Sequence, residues 1–173
     1  MAVAFRWRER TGRPAVRLDV FQSTSATWPT FAPHHYLTRD LNPSAACFVG
    51  EVDGTPVAFV AIRYQPMSSV PGWMFHRLVT LPEWQGLGVA LRLVEFVARE
   101  YQQREPHRVR MPTRHPGLAR SFERSPLWRC VRSMGPSTRR NQARKTPRTA
   151  IAERGTAAAA RGEITATFEW VGP

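Results

Sequence analysis

The chain has 173 residues, 42% of them hydrophobic, and a formal net charge of +12 in which Lys145 is the only lysine. That length suits one domain with a sizeable core; no apolar run reaches the ~20 residues of a membrane span, and Met1-Ala2-Val3-Ala4-Phe5-Arg6-Trp7-Arg8 meets charge too early for a signal-peptide core, so a cytoplasmic protein without membrane contact is expected. The arginine excess favours acidic partners such as nucleic acid or the ribosome, although net charge governs encounter and solubility and does not identify a ligand.

Residues 1–13 carry Arg6, Arg8, Arg10 and Arg13, and the first strand pattern is the alternation Ala15-Val16-Arg17-Leu18-Asp19-Val20. Ser23, Thr24 and Ser25 offer capping side chains to a short, proline-interrupted helical region running through Trp28, Phe31 and Ala32-Pro33-His34-His35-Tyr36-Leu37. Two apolar runs, Ala45 to Glu51 and Pro56 to Tyr64, flank Val52-Asp53-Gly54-Thr55, which predicts an antiparallel hairpin. A proline and serine loop, Gln65 to Pro71, precedes a fourth strand, Trp73 to Leu81, halted at Pro82.

From Gly86 the apolar positions Leu87, Ala90, Leu91, Val94, Val97, Ala98 and Tyr101 recur at helical spacing, with Arg92, Glu95, Arg99 and Gln102 elsewhere on the wheel. After Glu105-Pro106, the alternation His107 to Met111 reads as a fifth strand, and Pro116 opens a short helix in which Leu118 and Phe122 form an i, i+4 pair before Pro126. Trp128 to Ser133 follows as strand six. The final strand, Ile164 to Val171, is expected to place Ile164, Ala166, Phe168 and Trp170 on one face. Cys47 and Cys130 each fall inside a strand and are expected to be buried and reduced, and no Cys/His spacing indicates a metal.

Residues 134–162 differ from the rest. Arg139, Arg140, Arg144, Lys145, Arg148, Arg154 and Arg161 stand against Glu153 alone, in a tract of Ser, Thr, Pro, Gly and Ala that cannot bury enough apolar surface to fold by itself. The expected organisation is one domain, 1–133 with 163–173, carrying 134–162 as a mobile basic insertion. The arginines of 139–161 are either a solvated face or a contact for nucleic acid or ribosome, and no aromatic residue interleaves with them to stack on bases.

The strand, turn and helix around Leu78-Val79-Thr80-Leu81-Pro82-Glu83-Trp84-Gln85-Gly86-Leu87-Gly88-Val89-Ala90 form the stretch that points to a ligand. A helix N-terminus behind two glycines presents free N–H groups and the positive end of the dipole, and its natural occupant is a pyrophosphate. The spacing is neither the three-glycine dinucleotide pattern nor the P-loop. It does resemble the acetyl-coenzyme A signature of the GNAT superfamily of N-acetyltransferases, Gln/Arg-x-x-Gly-x-Gly/Ala after a strand ending in Pro-x-aromatic.

The resemblance implies an α/β (α+β) GNAT fold: a mixed, mostly antiparallel sheet of six to seven strands flanked by about four helices. It implies acetyl-CoA as co-substrate, held by Leu78, Val79, Thr80 and Leu81 on a strand splayed from the fifth, and by Gln85, Gly86, Leu87, Gly88, Val89 and Ala90 at the pyrophosphate. The N–H near Thr80 would polarise the thioester carbonyl. The segment between the first two strands would form a wall of the acceptor site, which brings in His34, His35 and Tyr36: imidazole can take a proton from an amine and a phenol can return one, while the plainer reading is a helix cap and core packing. His76 is a further candidate base, or a ring covering the sheet.

Many relatives carry a proton-donating tyrosine in the short helix, within a pattern near Asn-x-x-Ala-x-x-x-Tyr-Glu-Lys-x-Gly-Phe. Here Phe122-Glu123-Arg124 takes the Tyr-Glu-Lys place, so the general acid is missing or lies elsewhere, with Ser121, Ser125 and Cys130 as candidates. Thr113-Arg114-His115-Pro116 and Thr165 to Gly172 resemble a less common branch predicted beside ATPases and mobile-element proteins. The implied activity is acetyl transfer to an amine of an unidentified acceptor by direct attack. The alternative is a catalytically weak acyl-CoA-binding module or sensor that meets nucleic acid or a protein through its basic surface. Monomer and homodimer both remain open.

Overall fold

The computed structural model describes residues 2–5, 16–35, 39–66, 71–105, 107–132 and 166–172, the first of these as backbone only. Expectations placed on Tyr36, Ser133, the tract 134–162 with its arginines 139–161, and Ile164 lie outside the described residues. The elements are strands β1 (Ala2–Phe5), β2 (Val16–Ser23), β3 (Ala46–Val52), β4 (Thr55–Gln65), β5 (Gly72–Thr80), β6 (Arg108–Thr113), β7 (Trp128–Arg132) and β8 (Ala166–Trp170), with helices α1 (Trp28–Phe31), α2 (Val89–Arg104) and α3 (Pro116–Arg124). They form one sheet in the order β1-β2-β3-β4-β5-β6-β8-β7. The mixed, mostly antiparallel α/β architecture is as expected; β1 adds a strand where the arginine-rich start of the chain shows no alternation, and the α-helices among the described residues number three.

Local chemistry sets most of these bounds. Asp53 and Gly54 take left-handed backbone (φ 50° and 75°), the turn that matches strand twist in a two-residue hairpin, and Val52 pairs with Thr55 across it. Thr24 accepts a hydrogen bond from Ala26 N–H and starts the 3₁₀ turn before α1. Pro116 occupies the first turn of α3, and His115 Nδ1 caps it by accepting from Leu118 N–H at 3.1 Å.

The sheet has two apolar faces. On one, Val60, Ile62, Phe75, Val109, Met111 and Phe168 meet α2 through Leu93, Val94, Val97 and Ala98, and α3 through Ala119 and Phe122. On the other, α1 and the turn after it lay Trp28, Phe31 and Ala32 over Val49, Phe59, Ala61 and Val79. Phe122 is fully buried, with ring centroids 4.7 Å from Trp128 and 5.2 Å from Phe168, so packing alone accounts for it.

Ala166, Phe168 and Trp170 share the buried face as the alternation requires. Glu169, between them, is also buried because Arg110 Nε reaches its Oε2 at 2.9 Å and Arg129 Nη2 its Oε1 at 2.7 Å. Burial alone would raise its pKa; these bonds and the charges of Arg110 and Arg108 outweigh that and lower it. Two expectations need correction. Cys47 is buried but Cys130 is exposed, since β7 is the last strand of the sheet and no described element covers that position. Glu95, placed on the polar side of α2 by periodicity, is buried because Arg92 Nη1 (2.8 Å) and Ser125 Oγ (2.9 Å) satisfy its carboxylate.

Candidate functional site

The site begins where two strands part. β5 and β6 are the parallel pair of the sheet, and their register runs only from Gly72 opposite Arg108 to Met74 opposite Arg110. A Cβ at Gly72 would lie 2.5 Å from Arg108 O, so only glycine allows this approach. Beyond Met74 the two strands carry no ladder, although β5 continues to Thr80 and β6 to Thr113.

The backbone that faces the gap follows from period-two geometry. Leu81 N–H donates to Val57 O at 2.9 Å, and Thr80 pairs with Ala58 and Leu78 with Val60 as β4 partners. Val79 and Leu81 therefore direct their N–H groups into β4, while those of Leu78 and Thr80 point into the gap. Thr80 O accepts from Gln85 Nε2 at 3.0 Å, which ties the following turn to the strand end. Thr80 Oγ1 is out of contact with solvent and has no hydrogen-bond partner among the described residues.

At the open end, Gly86 (φ 76°) and Gly88 (φ 82°) hold left-handed backbone with nothing within 4 Å of where a Cβ would stand, so conformation and not space demands glycine at both. This moves the start of α2 from Gly86 to Val89, with Gly88 as N-cap and no side chain capping it. The first N–H groups of a helix have no intrahelical partner, so those around Val89 and Ala90 remain for an anion at the positive end of the dipole.

A cavity of about 570 Å³ joins these parts; β5, the turn, the start of α2, β6 and α3 line it. Of the expected binding residues, Leu78, Val79, Thr80, Gln85, Gly86, Gly88, Val89 and Ala90 line it. Leu81 and Leu87 do not: Leu81 packs beneath α1's face of the sheet and Leu87 against the α2 side. Unpaired N–H donors along a strand, an orphaned hydroxyl and a bare helix N-terminus suit an amide-bearing arm that ends in a pyrophosphate, as acetyl-CoA has.

His34, His35 and His76 also line the cavity. The register of β5 against β4 shifts between Ala61 opposite Arg77 and Ile62 opposite Phe75, which leaves His76 as the extra residue of a bulge, and bulges re-aim side chains. Asn42 N–H donates to His76 Nε2 at 3.2 Å, and Arg77 Nη1 lies 3.5 Å from its Nδ1. Burial, then the charges of Arg77, Arg63 and His35, bring its pKa down to about 4. At neutral pH the ring is uncharged and its one lone pair already accepts a bond, a poor state for a general base. His34 is exposed, and His35 stacks edge-on against Trp28 at 5.7 Å.

Ser125 is not brought to the cavity. It ends α3, where its hydroxyl donates to Glu95 and its carbonyl side faces the turn to β7. Ser121 does line the cavity, with its hydroxyl donating back to Gly117 O at 3.0 Å. Residues not singled out from sequence also line it, notably Arg77, Trp84, Arg114 and His115. His115 was findable as the residue before a proline that opens a helix; Arg77 was not, because the bulge alone decides its direction.

The comparisons with known proteins follow this geometry. The family described as "Acetyltransferase (GNAT) family" matches residues 13–121, more than half of the chain. No curated protein matches significantly by sequence. Among solved structures, a Bacillus subtilis acetyltransferase in complex with CoA is similar at 7% identity and TM-score 0.60, covering 90% of this chain and 97% of that one. The ribosomal-protein-S18-alanine N-acetyltransferase of Escherichia coli is similar at 12% identity and TM-score 0.55, covering 88% and 91%. A ribosomal-protein-alanine N-acetyltransferase from Brucella melitensis is similar at 11% identity and TM-score 0.58, covering 87% and 98%. At these identities the likeness is one of fold.

Proposed function

The chain belongs to the GNAT acetyltransferase family, and from that premise we propose that it transfers an acetyl group from acetyl-CoA to the amine of an acceptor by direct attack. The observation that carries this reading is the gap between β5 and β6, into which Leu78 and Thr80 turn their N–H groups and which opens on the left-handed Gly86 and Gly88 turn. Acetyl-CoA supplies an activated thioester. The turn and the start of α2 receive its pyrophosphate, Leu78 and Thr80 bond its arm, and one of their N–H groups steadies the carbonyl oxygen as negative charge develops on it. The amine nitrogen bonds to the carbonyl carbon, the C–S bond breaks, and the ammonium proton leaves as the thiolate gains one.

Proton movement falls to His34 and His35, which line the cavity. His76 serves better as a positioning residue, bonding Asn42 N–H and fixing the bulge. Phe122 supplies no proton, and Ser121 is the hydroxyl of α3 that lines the cavity. One observation favours a second reading, an acyl-CoA-binding module: Phe122 stands buried in the place where many relatives carry a tyrosine. Calorimetry with acetyl-CoA followed by thiol detection over a panel of amines separates the two. Binding with thiol release supports transfer; binding without release supports the module; no binding sinks both.

A further inference from the structure

Over β6, β8 and β7 one face of the sheet carries no helix among the described residues. Val109, Met111, Phe168 and Trp128 turn toward α2 and α3, while α1 on the opposite side covers only Val49, Phe59, Ala61 and Val79 of β3, β4 and β5. Strand alternation therefore sends Arg108 and Arg110 to the side away from α2. Cross-strand pairing fixes their neighbours: Arg63 stands opposite Met74, Met74 opposite Arg110, Arg110 opposite Glu169 and Glu169 opposite Arg129, one row across five strands. Arg132, opposite Thr167, extends the same face along β7. At about 4.8 Å between strands the row runs roughly 19 Å from Arg63 to Arg129, and Arg108 lies about 6.6 Å along β6 from Arg110.

Five guanidinium groups thus share this face with one carboxylate among the described residues. Glu169 holds Arg110 and Arg129 by direct bonds, and Arg108 Nη1 lies 3.8 Å from its Oε2. One carboxylate neutralises one cation and fixes the positions of three, so a positive surplus stays in a held geometry. The side chains of Arg108 and Arg129 are 56% and 64% exposed, which leaves their other N–H groups to an outside partner.

We propose that this face binds a single strand of nucleic acid through its phosphates. All five cations are arginine, whose planar fork matches a phosphate and is weakly hydrated. Consecutive phosphates form a continuous line of charge that fits a continuous row, whereas the carboxylates of a folded partner stand where that fold puts them. A flat sheet face offers no helix or ribbon to enter a duplex groove, and a flexible strand can lie along it. No aromatic ring stands in the row, so bases are not stacked and sequence is not read. None of these side chains lines the cavity, and binding here does not depend on acetyl-CoA.

Fluorescence anisotropy on the full chain, with a labelled oligouridylate of about 12 nucleotides titrated over a range of salt, reads both affinity and the phosphates neutralised. The triple variant Arg63→Gln, Arg108→Gln, Arg132→Gln leaves Arg110 and Arg129 on Glu169. It is expected to weaken binding about tenfold or more and to lower the salt slope by roughly 2, at about 0.7 for each phosphate contact. A second triple, Arg99→Gln, Arg120→Gln, Arg124→Gln, removes the same charge from exposed positions on α2 and α3 and is expected to stay within about threefold of the parent. Oligodeoxythymidylate of equal length should bind like the RNA, since phosphates and not sugars are read. Should the first triple fail to fold, Arg108→Gln alone, at the loosest of the three contacts to Glu169, is expected to lower the slope by about 0.7. An equal loss in the two triples overturns the proposal, because binding then follows overall charge; so does a slope unmoved by Arg108→Gln, or no binding at low salt. A duplex bound as tightly as the single strand overturns it too. Polyglutamate that competes as well as an oligonucleotide of equal charge does the same, and assigns the face to an acidic protein.

Discussion

Gly88→Ala tests the site where its backbone is most constrained. Gly88 has φ 82° and ψ 0° at the N-cap of α2, and a methyl group there would meet nothing within 4 Å, so the whole cost is conformational. Left-handed backbone costs an L-residue about 1–2 kcal/mol. If the turn keeps its shape, that cost appears as stability, a fall in Tm of about 2–8 °C for a chain of this size. If the turn relaxes, the N–H groups no longer converge and the cost appears instead in acetyl-CoA affinity, weakened about 5- to 30-fold. Gly54→Ala is the matched control, since φ is 75°, nothing lies within 4 Å, and the residue sits in the β3–β4 hairpin away from the cavity. Scanning calorimetry and titration calorimetry on both variants should give a loss of stability alone for Gly54→Ala, and for Gly88→Ala losses of stability and affinity that together make up the same cost. Equal affinity in the two variants, with Tm also unchanged for Gly88→Ala, would refute the anion-turn reasoning.

The folded pKa of His76 lies below its ordinary 6.5, at about 4, so the unfolded chain binds more protons between those values. Stability should be level in this respect above pH 6.5 and decline as pH falls toward 4; His76→Gln should flatten that slope in a Tm-versus-pH series, and an unchanged slope would count against it. Glu169 has the opposite chemistry and the same acid side: its lowered pKa gives stability present above the ordinary 4.5 and lost as pH falls through the folded value. Glu169→Gln should cost about 1–3 kcal/mol at pH 7 by urea unfolding and progressively less as pH falls below 4.5. Phe122→Ala opens a hole beside Trp128 and Phe168 and should cost about 3–5 kcal/mol, with thiol release per folded molecule nearly unchanged. A selective loss of turnover with stability intact would show that the ring acts in the chemistry.

Local chemistry wrote much of this molecule. The Asp53-Gly54 turn, the stop at Pro82, the helical spacing through Ala90, Leu91, Val94 and Val97 and the alternation through Ala166, Phe168 and Trp170 are each read from neighbours in sequence, because turn, capping and periodic burial depend on residues a few positions apart. The order Gln85-Gly86-x-Gly88 likewise marks the turn before α2, since only glycine takes φ near 80° without strain. Depth was less legible: Glu95 and Glu169 are buried against their polarity because partners from other elements satisfy them, Ser125 above α2 and Arg110 and Arg129 across the sheet.

The part of the cavity around His76 and Arg77 belongs to tertiary structure. The parting of β5 from β6 depends on Gly72 meeting Arg108 O, a contact between residues 36 positions apart in the chain. The direction of His76 and Arg77 is set by a one-residue bulge against β4, and strand alternation in sequence carries no sign of it. Sequence thus determined the shape of the glycine turn before α2, through conformations that individual residues permit. Which side chains line the rest of the cavity was decided only when separate strands were placed side by side.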